Sequence, residues 1–238
     1  MKKVILDIDG CITDGKGESI DLVALELLKQ KIHQTPVSTT LCTGRPAVYV
    51  ESIAQMLDIQ NWCICENGAY LYHTVTENII YHPNVIQKTR RRLQAIKNQL
   101  TTDDLFPQIS KIELGKEICI SLNPIDIDVA YLYKRIKEKF NDNDLNITFS
   151  TTAVDITPQN VNKGSGLLML SELEGFDLSD TIGVGDAKGD LPFLELCQEV
   201  YCSCNAIDSI KKISANVSTN PSTKGLIEIY EKILESAI

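Results

Sequence analysis

Between residues 3 and 65, and again from residue 163 onward, short apolar or β-branched runs alternate with segments whose apolar residues recur at helical spacing. The runs are Lys3–Leu6, Val37–Cys42, Trp62–Cys65, Thr181–Val184 and Glu199–Cys202. Parallel neighbours in a sheet need a crossover long enough to hold a helix. The alternation therefore predicts an α/β chain with a doubly wound parallel sheet. Ser19 is expected to cap a first helix carrying Ile20, Val23, Leu27 and Leu28, and Pro46 suits the first turn of a second that runs to about Leu57. Later helices are expected from Lys163, Leu191, Ile207 and Lys224.

The middle of the chain breaks this rhythm. Ala69–Tyr72 and Ile79–Tyr81 read as a hairpin, and Pro83 interrupts the chain. A helix from about Val85 to Leu100 then precedes strands Ile109–Leu114 and Glu117–Leu122, turned at Gly115-Lys116. A second helix, Asp126–Phe140, leads to strands Asn146–Ser150 and Ala153–Thr157. The order α-β-β-α-β-β describes a small α+β unit at residues 83–157, inserted into a core made of residues 1–82 and 158–238.

A chain of 238 residues is ample for such a core. Its net charge of −9 argues against nonspecific nucleic-acid binding, yet leaves room for an anionic substrate where a metal inverts the local field. No apolar run is long enough to span a membrane, and the amino terminus enters a strand almost at once, which implies no signal peptide and a cytosolic location. The eight cysteines lack the Cys-x2-4-Cys spacing of zinc sites and read as small buried hydrophobes.

Four places where strands give way to loops, or helices begin, carry groups with chemistry. The first strand ends in Asp7-Ile8-Asp9-Gly10, and the period of two puts both carboxylates on one side. Two acids so close are stabilised by a divalent cation with hard oxygen ligands, or else lie in a surface turn. Thr43 and Gly44 offer hydrogen bonds to a phosphoryl oxygen, or form a plain turn. Lys163 opens a helix, as a point charge for a phosphoryl group or as a solvated side chain. Gly185-Asp186 and Asp190 follow the Thr181–Val184 strand, with Asp190 a metal ligand or a helix-start acid. Their shared order makes chance a poor account of all four.

Together these segments resemble the four motifs of haloacid dehalogenase-superfamily phosphatases, in the subgroup whose cap lies between the second and third motifs. Asp7-Ile8-Asp9-Gly10, Thr43, Lys163 and Gly185-Asp186-x3-Asp190 match in order. Glu66-Asn67-Gly68-Ala69 and Asn205-Ala206 are similar to segments of Cof-like and archaeal phosphoglycolate phosphatase-like members. The resemblance implies a Rossmann-like core with a C2-type cap, and a phosphomonoesterase acting on a small phosphorylated metabolite, a sugar phosphate or phosphoglycolate. It implies Asp7 as nucleophile and Asp9 as general acid and base. One Mg2+ would be held by Asp7, the Asp9 carbonyl and Asp186, with Asp190 bound directly or through water. Thr43, Gly44 and Lys163 would hold the phosphoryl oxygens, and Asn205 would support that side of the pocket.

Two departures stand out. Gly189 replaces the asparagine many relatives carry before the second acid of the fourth motif, and the first motif continues Cys11-Ile12-Thr13-Asp14 rather than Thr-Leu. Since the stretch from Gly15 to Thr43 holds little more than one helix, residues 83–157 are the expected cap and specificity element. Arg90, Arg91 and Arg92 on its first helix face either an anionic substrate or solvent. A phosphomutase and a non-catalytic binding protein are the alternatives on the same fold. The sequence assigns no oligomeric state.

Overall fold

The computed structural model describes residues 2–15, 17–140, 143–150 and 152–236. In chain order the strands are β1 (Lys3–Leu6), β2 (Ser38–Leu41), β3 (Trp62–Cys65), β4 (Tyr70–His73), β5 (Ile79–Tyr81), β6 (Ser110–Ile112), β7 (Ile120–Pro124), β8 (Leu145–Phe149), β9 (Val154–Pro158), β10 (Thr181–Val184), β11 (Glu199–Cys202) and β12 (Asn216–Val217). The helices are α1 (Leu22–Gln34), α2 (Ala47–Leu57), α3 (Gln87–Thr102), α4 (Phe106–Ile109), α5 (Val129–Lys139), α6 (Lys163–Glu174), α7 (Leu191–Leu194), α8 (Asp208–Ile213) and α9 (Ser222–Ser236).

The core sheet is parallel, in the order β12-β11-β10-β1-β2. Past Lys3, strand β1 is apolar because both of its faces are covered. Val4 and Leu6 enter one apolar layer with Leu25 and Leu28 of α1 and Ile229 of α9. Ile5, between them, enters the opposite layer with Leu167 and Leu170 of α6 and Phe193. The strand order reverses at β1, with β2 on one side and β10 on the other, so the crevice at their carboxyl ends is the natural ligand site.

Strand β3 corrects the expectation of a further full parallel strand. It meets the parallel sheet through one bridge, Cys42 to Ile64, and otherwise pairs antiparallel with β4, which pairs in turn with β5. Between β5 and α6 lies a four-stranded antiparallel sheet, β6-β7-β9-β8, backed by α3 and α5. Its α-β-β-α-β-β order follows the sequence reading, with α4 as an added turn.

Several local expectations change for identifiable reasons. Asp21, not Ser19, caps α1, accepting the Ala24 amide at 3.0 Å. The buried stripe of α1 is Ala24, Leu25, Leu28 and Ile32, leaving Val23 75% and Leu27 47% exposed. Pro46 stands at the N-cap of α2 rather than inside its first turn. Pro107 favours the short helix α4, which delays β6 to Ser110. Strand β7 begins only at Ile120, because the amides of residues 117–119 are drawn to the Glu66 carboxylate instead of a ladder.

That contact ties the antiparallel unit to the core. Glu66 is fully buried and accepts the amides of Glu117, Ile118 and Cys119 at 2.7, 2.9 and 2.7 Å. Burial pushes its carboxyl above the usual range, while the three amides pull the other way. Just beyond it, Gly68 has φ +92°, and a side chain there would meet the Asn162 carbonyl oxygen at 2.2 Å. The turn thus lies directly on the start of α6. Asn162 caps that helix by accepting the Ser165 amide at 3.0 Å, and Ser165 Oγ accepts the Asn162 amide in return. Asn162→Ala is expected to cost about 1 kcal/mol and lower Tm by roughly 2–4 °C in a thermal melt.

Candidate active site

Asp7 lies one residue past β1, its backbone amide still paired to the Val184 carbonyl at 3.0 Å. Asp186 follows β10 by two residues, and Asp190 closes the single helical turn Lys188–Asp190 after it. Parallel pairing of β1 with β10 therefore brings the three acids together. A carboxylate oxygen from each lies within 4.8 Å of the others. Gly10, with φ +82°, makes room for them, since a Cβ there would sit 2.2 Å from Asp186 Oδ2.

Lys163, the first residue of α6, reaches into this cluster from the opposite layer. Its Nζ lies 2.8 Å from Asp7 Oδ1 and 2.5 Å from Asp190 Oδ1, with the residue 5% exposed. Burial disfavours the ammonium, but Asp190 and Asp7 outweigh it and hold its pKa well above the ordinary value. Asp7 is pushed well up by burial and by Asp190 and Asp186, against the pull of Lys163. Asp186 is pushed up to about 7 by burial and by Asp190. One ammonium does not neutralise three crowded carboxylates.

These donors fit a hard divalent cation. Asp186 Oδ1 is buried and has no hydrogen-bond partner among the described residues, as expected of an oxygen open to a metal. Asp190 is more committed. Its Oδ1 receives Lys163, and its Oδ2 accepts the amides of Asp186 and Ala187 at 3.0 and 2.9 Å. Asp7 and Asp186 could offer side-chain oxygens to such an ion directly, while the Asp190 carboxylate already holds Lys163 and the Asp186 and Ala187 amides.

Asp9 points to a different partner. Arg45 forks onto it, Nε to Oδ2 at 2.7 Å and Nη2 to Oδ1 at 2.6 Å. This hydrogen-bonded pairing holds the guanidinium firmly charged. Thr43 is buried and accepts the Arg45 amide at 3.1 Å, shaping the turn that aims the fork. Arg45 Nη1 also reaches Glu113 of the antiparallel unit at 3.2 Å. A cavity of about 470 Å³ opens between the two parts, lined on the core side by Asp7, Asp9, Thr43, Gly44, Lys163 and Asp186.

A sequence model of the haloacid dehalogenase-like hydrolases matches residues 4–103 and 81–229. The chain belongs to that family. Among its curated relatives, a phosphoglycolate phosphatase of Methanococcoides burtonii is 24% identical over 238 residues, covering 100% of this chain and 99% of the relative. Among solved structures, Thermoplasma acidophilum 0175 has a TM-score of 0.76 at 19% identity, covering 98% of each chain. The sucrose-phosphatase of Synechocystis sp. PCC6803, solved with sucrose and phosphate, has a TM-score of 0.72 at 17% identity, covering 98% of this chain and 97% of that one. A haloacid dehalogenase-like core with a separate cap is thus the fold as well as the family.

Of the residues singled out in the sequence of this haloacid dehalogenase-like hydrolase, Asp7, Asp9, Thr43, Gly44, Lys163, Asp186 and Asp190 all line the cavity. Asn205 does not. Its Nδ2 donates to the Gly10 carbonyl at 2.8 Å and its Oδ1 accepts the Ser222 amide at 3.0 Å, so it braces the loop behind the acids. None of Arg90, Arg91 and Arg92 lines the cavity. Arg90 instead stacks on Tyr81 and pairs with Glu117 at 3.3 Å. Sequence reasoning missed the tasks of Arg45, although it adjoins the Thr43-Gly44 turn, and of Glu66, although its segment was singled out, and missed Glu113 and Lys116. For the last two, the signal was their place beside the Gly115 turn, whose φ of +85° makes a tight reversal over the site.

Proposed function

We propose that this hydrolase is a magnesium-dependent phosphomonoesterase acting on a small phosphorylated metabolite, a sugar phosphate or phosphoglycolate. The observation that carries the reading is the unpartnered Asp186 oxygen beside Asp7 and Asp190, with Lys163 in contact with the last two. Relatives named as phosphoglycolate phosphatases and a neighbour named as a sucrose-phosphatase support the substrate range.

Asp7 Oδ attacks phosphorus, the bond to the leaving oxygen breaks, and the phosphoryl group passes to the carboxylate. Asp9 gives its proton to the departing alkoxide and then takes one from the water that hydrolyses the aspartyl-phosphate. The proton Asp9 takes from that water is the one it gives to the alkoxide in the next turnover, and each of its oxygens, which accepts one Arg45 N–H, keeps a lone pair to carry it. Thr43, Gly44 and Lys163 receive the phosphoryl oxygens. Asp7 and Asp186 would hold Mg2+, whose positive charge would offset repulsion between nucleophile and phosphate. Residues 83–157 act as the cap and exclude water. The protein is assigned to the cytosol.

With Mg2+, the purified chain is expected to release phosphate from p-nitrophenyl phosphate and from at least one member of a sugar-phosphate and phosphoglycolate panel, and to stop when EDTA removes the metal. Absence of release from every compound would refute the assignment.

A further inference from the structure

Arg45 is a core residue whose guanidinium is held from several sides. Nε and Nη2 fork onto Asp9, Nη1 donates to Glu113 on the β6–β7 turn at 3.2 Å, and the guanidinium carbon lies 4.6 Å from the centre of the Tyr49 ring. These contacts do different things. A fork fixes Asp9 relative to Arg45, but it does not fix the pair relative to the rest of the site. A long flexible stem separates the guanidinium from its backbone, so its place depends on what else it touches. The Asp9 side chain is 33% exposed and has room to turn away. Glu113 and Tyr49 therefore decide where the fork, and Asp9 with it, comes to rest.

Of the two, Glu113 is contributed by the cap. Its amide donates to the Ser121 carbonyl at 2.8 Å, which closes the turn, and its second carboxylate oxygen lies 3.9 Å from Lys116 Nζ. The turn rests on the segment that carries Arg45, since a Cβ at Gly115 would lie 3.7 Å from Pro46 Cγ. One residue registers both parts. The Glu66 amide donates to the Arg45 carbonyl at 3.1 Å, while the Glu66 carboxylate takes the amides of residues 117–119. The distance from Glu113 to Arg45 is thus set beside the site itself, not at the linkers where the chain enters and leaves the cap.

We infer that Glu113 is a positioning residue for proton transfer: through Arg45 it fixes the direction of Asp9, so that the cap helps to aim the general acid as well as to cover the site. The inference rests on the phosphomonoesterase reading above, in which Asp9 gives its proton to the departing oxygen as the bond to phosphorus breaks. Its effect depends on the leaving group. p-Nitrophenolate is a weak base and departs without a proton, whereas the more basic phenolate gains from receiving one.

The test compares kcat/KM of the intact, Mg2+-loaded chain on phenyl phosphate and p-nitrophenyl phosphate, which differ in leaving-group basicity far more than in shape. Glu113→Ala is expected to lower the ratio of phenyl to p-nitrophenyl phosphate about 10-fold. Both rates come from one sample, so any loss of folded protein cancels in the ratio. In an Arg45→Met background the fork is already gone, and Glu113→Ala is expected to move the ratio no further. A ratio that Glu113→Ala leaves unchanged overturns the inference, and so does a second fall of the same size in the double variant. A parent chain that cleaves p-nitrophenyl but not phenyl phosphate has no acid at work and also overturns it. In each of these cases the phosphatase reading stands. No cleavage of any compound by the parent chain removes both readings.

Discussion

Asp7→Asn is expected to lower kcat by at least about 10⁴-fold, equivalent to more than about 5 kcal/mol of lost barrier reduction, while the protein stays folded. An amide nitrogen or oxygen has too little charge to attack phosphorus, and nothing else in the cluster is placed to replace it. Asp190 is committed to Lys163 and two backbone amides, and Asp9 lies in the fork of Arg45. The fold survives because the Asp7 charge is itself disfavoured in the metal-free protein. Burial, Asp190 and Asp186 raise its pKa well above the normal value, and an isosteric neutral group relieves that crowding. Thermal melts provide the companion measurement: the rise in Tm produced by Mg2+ should shrink in the variant, since one ligand has lost its charge. Normal turnover by Asp7→Asn would dismiss it as the nucleophile.

Lys163→Met should damage both stability and turnover. Removing the ammonium leaves Asp7 and Asp190 as buried carboxylates without their shared cation, a change that costs about 3–5 kcal/mol. In EDTA, Tm is expected to fall by roughly 6–20 °C, taking about 2–4 °C per kcal/mol for a chain of this size. The loss depends on pH in a definite direction. Without Lys163 the folded-state pKa of Asp7 rises further above the unfolded value of 3.8. Below that value both states are protonated and the deficit is small; it grows as pH rises and the unfolded chain ionises more readily. Added Mg2+ should recover more Tm in the variant than in the parent, because the site is more negative. Turnover should still fall by about 10²-fold or more, since the metal does not replace the lost contact to the phosphoryl oxygens. An unchanged melt in EDTA would show that the ion pair contributes nothing.

What the sequence revealed, and what it concealed, divides by distance along the chain. Strand β1 was legible because Val4, Ile5 and Leu6 are apolar on both faces, which only a covered parallel strand demands. The acids at its end could be placed with Asp186 and Lys163 because each sits where an element begins or ends, and the doubly wound sheet gathers such points at one edge. Partners set by tertiary contact left no local mark. Nothing near Glu117–Cys119 announces that Glu66, more than fifty positions earlier, takes their amides, so the strand was drawn too long. Helix α1 misled for another reason. Apolar residues occur on several sides of it, and Leu22, Val23 and Leu27 stay exposed while Ala24 and Ile32 are buried. Asn205 matched a family segment, yet its side chain serves the Gly10 carbonyl.

The hold of Glu66 on three consecutive amides has a consequence for building hybrid enzymes. Its carboxylate belongs to the core in sequence, but it completes the hydrogen bonding of a stretch that lies wholly within residues 83–157. Were residues 83–157 of this chain moved alone into another protein, the three amides before β7 would leave behind the carboxylate that accepts them. Transplanting this segment therefore means moving Glu66 with it, as one inheritance unit split in two by the chain.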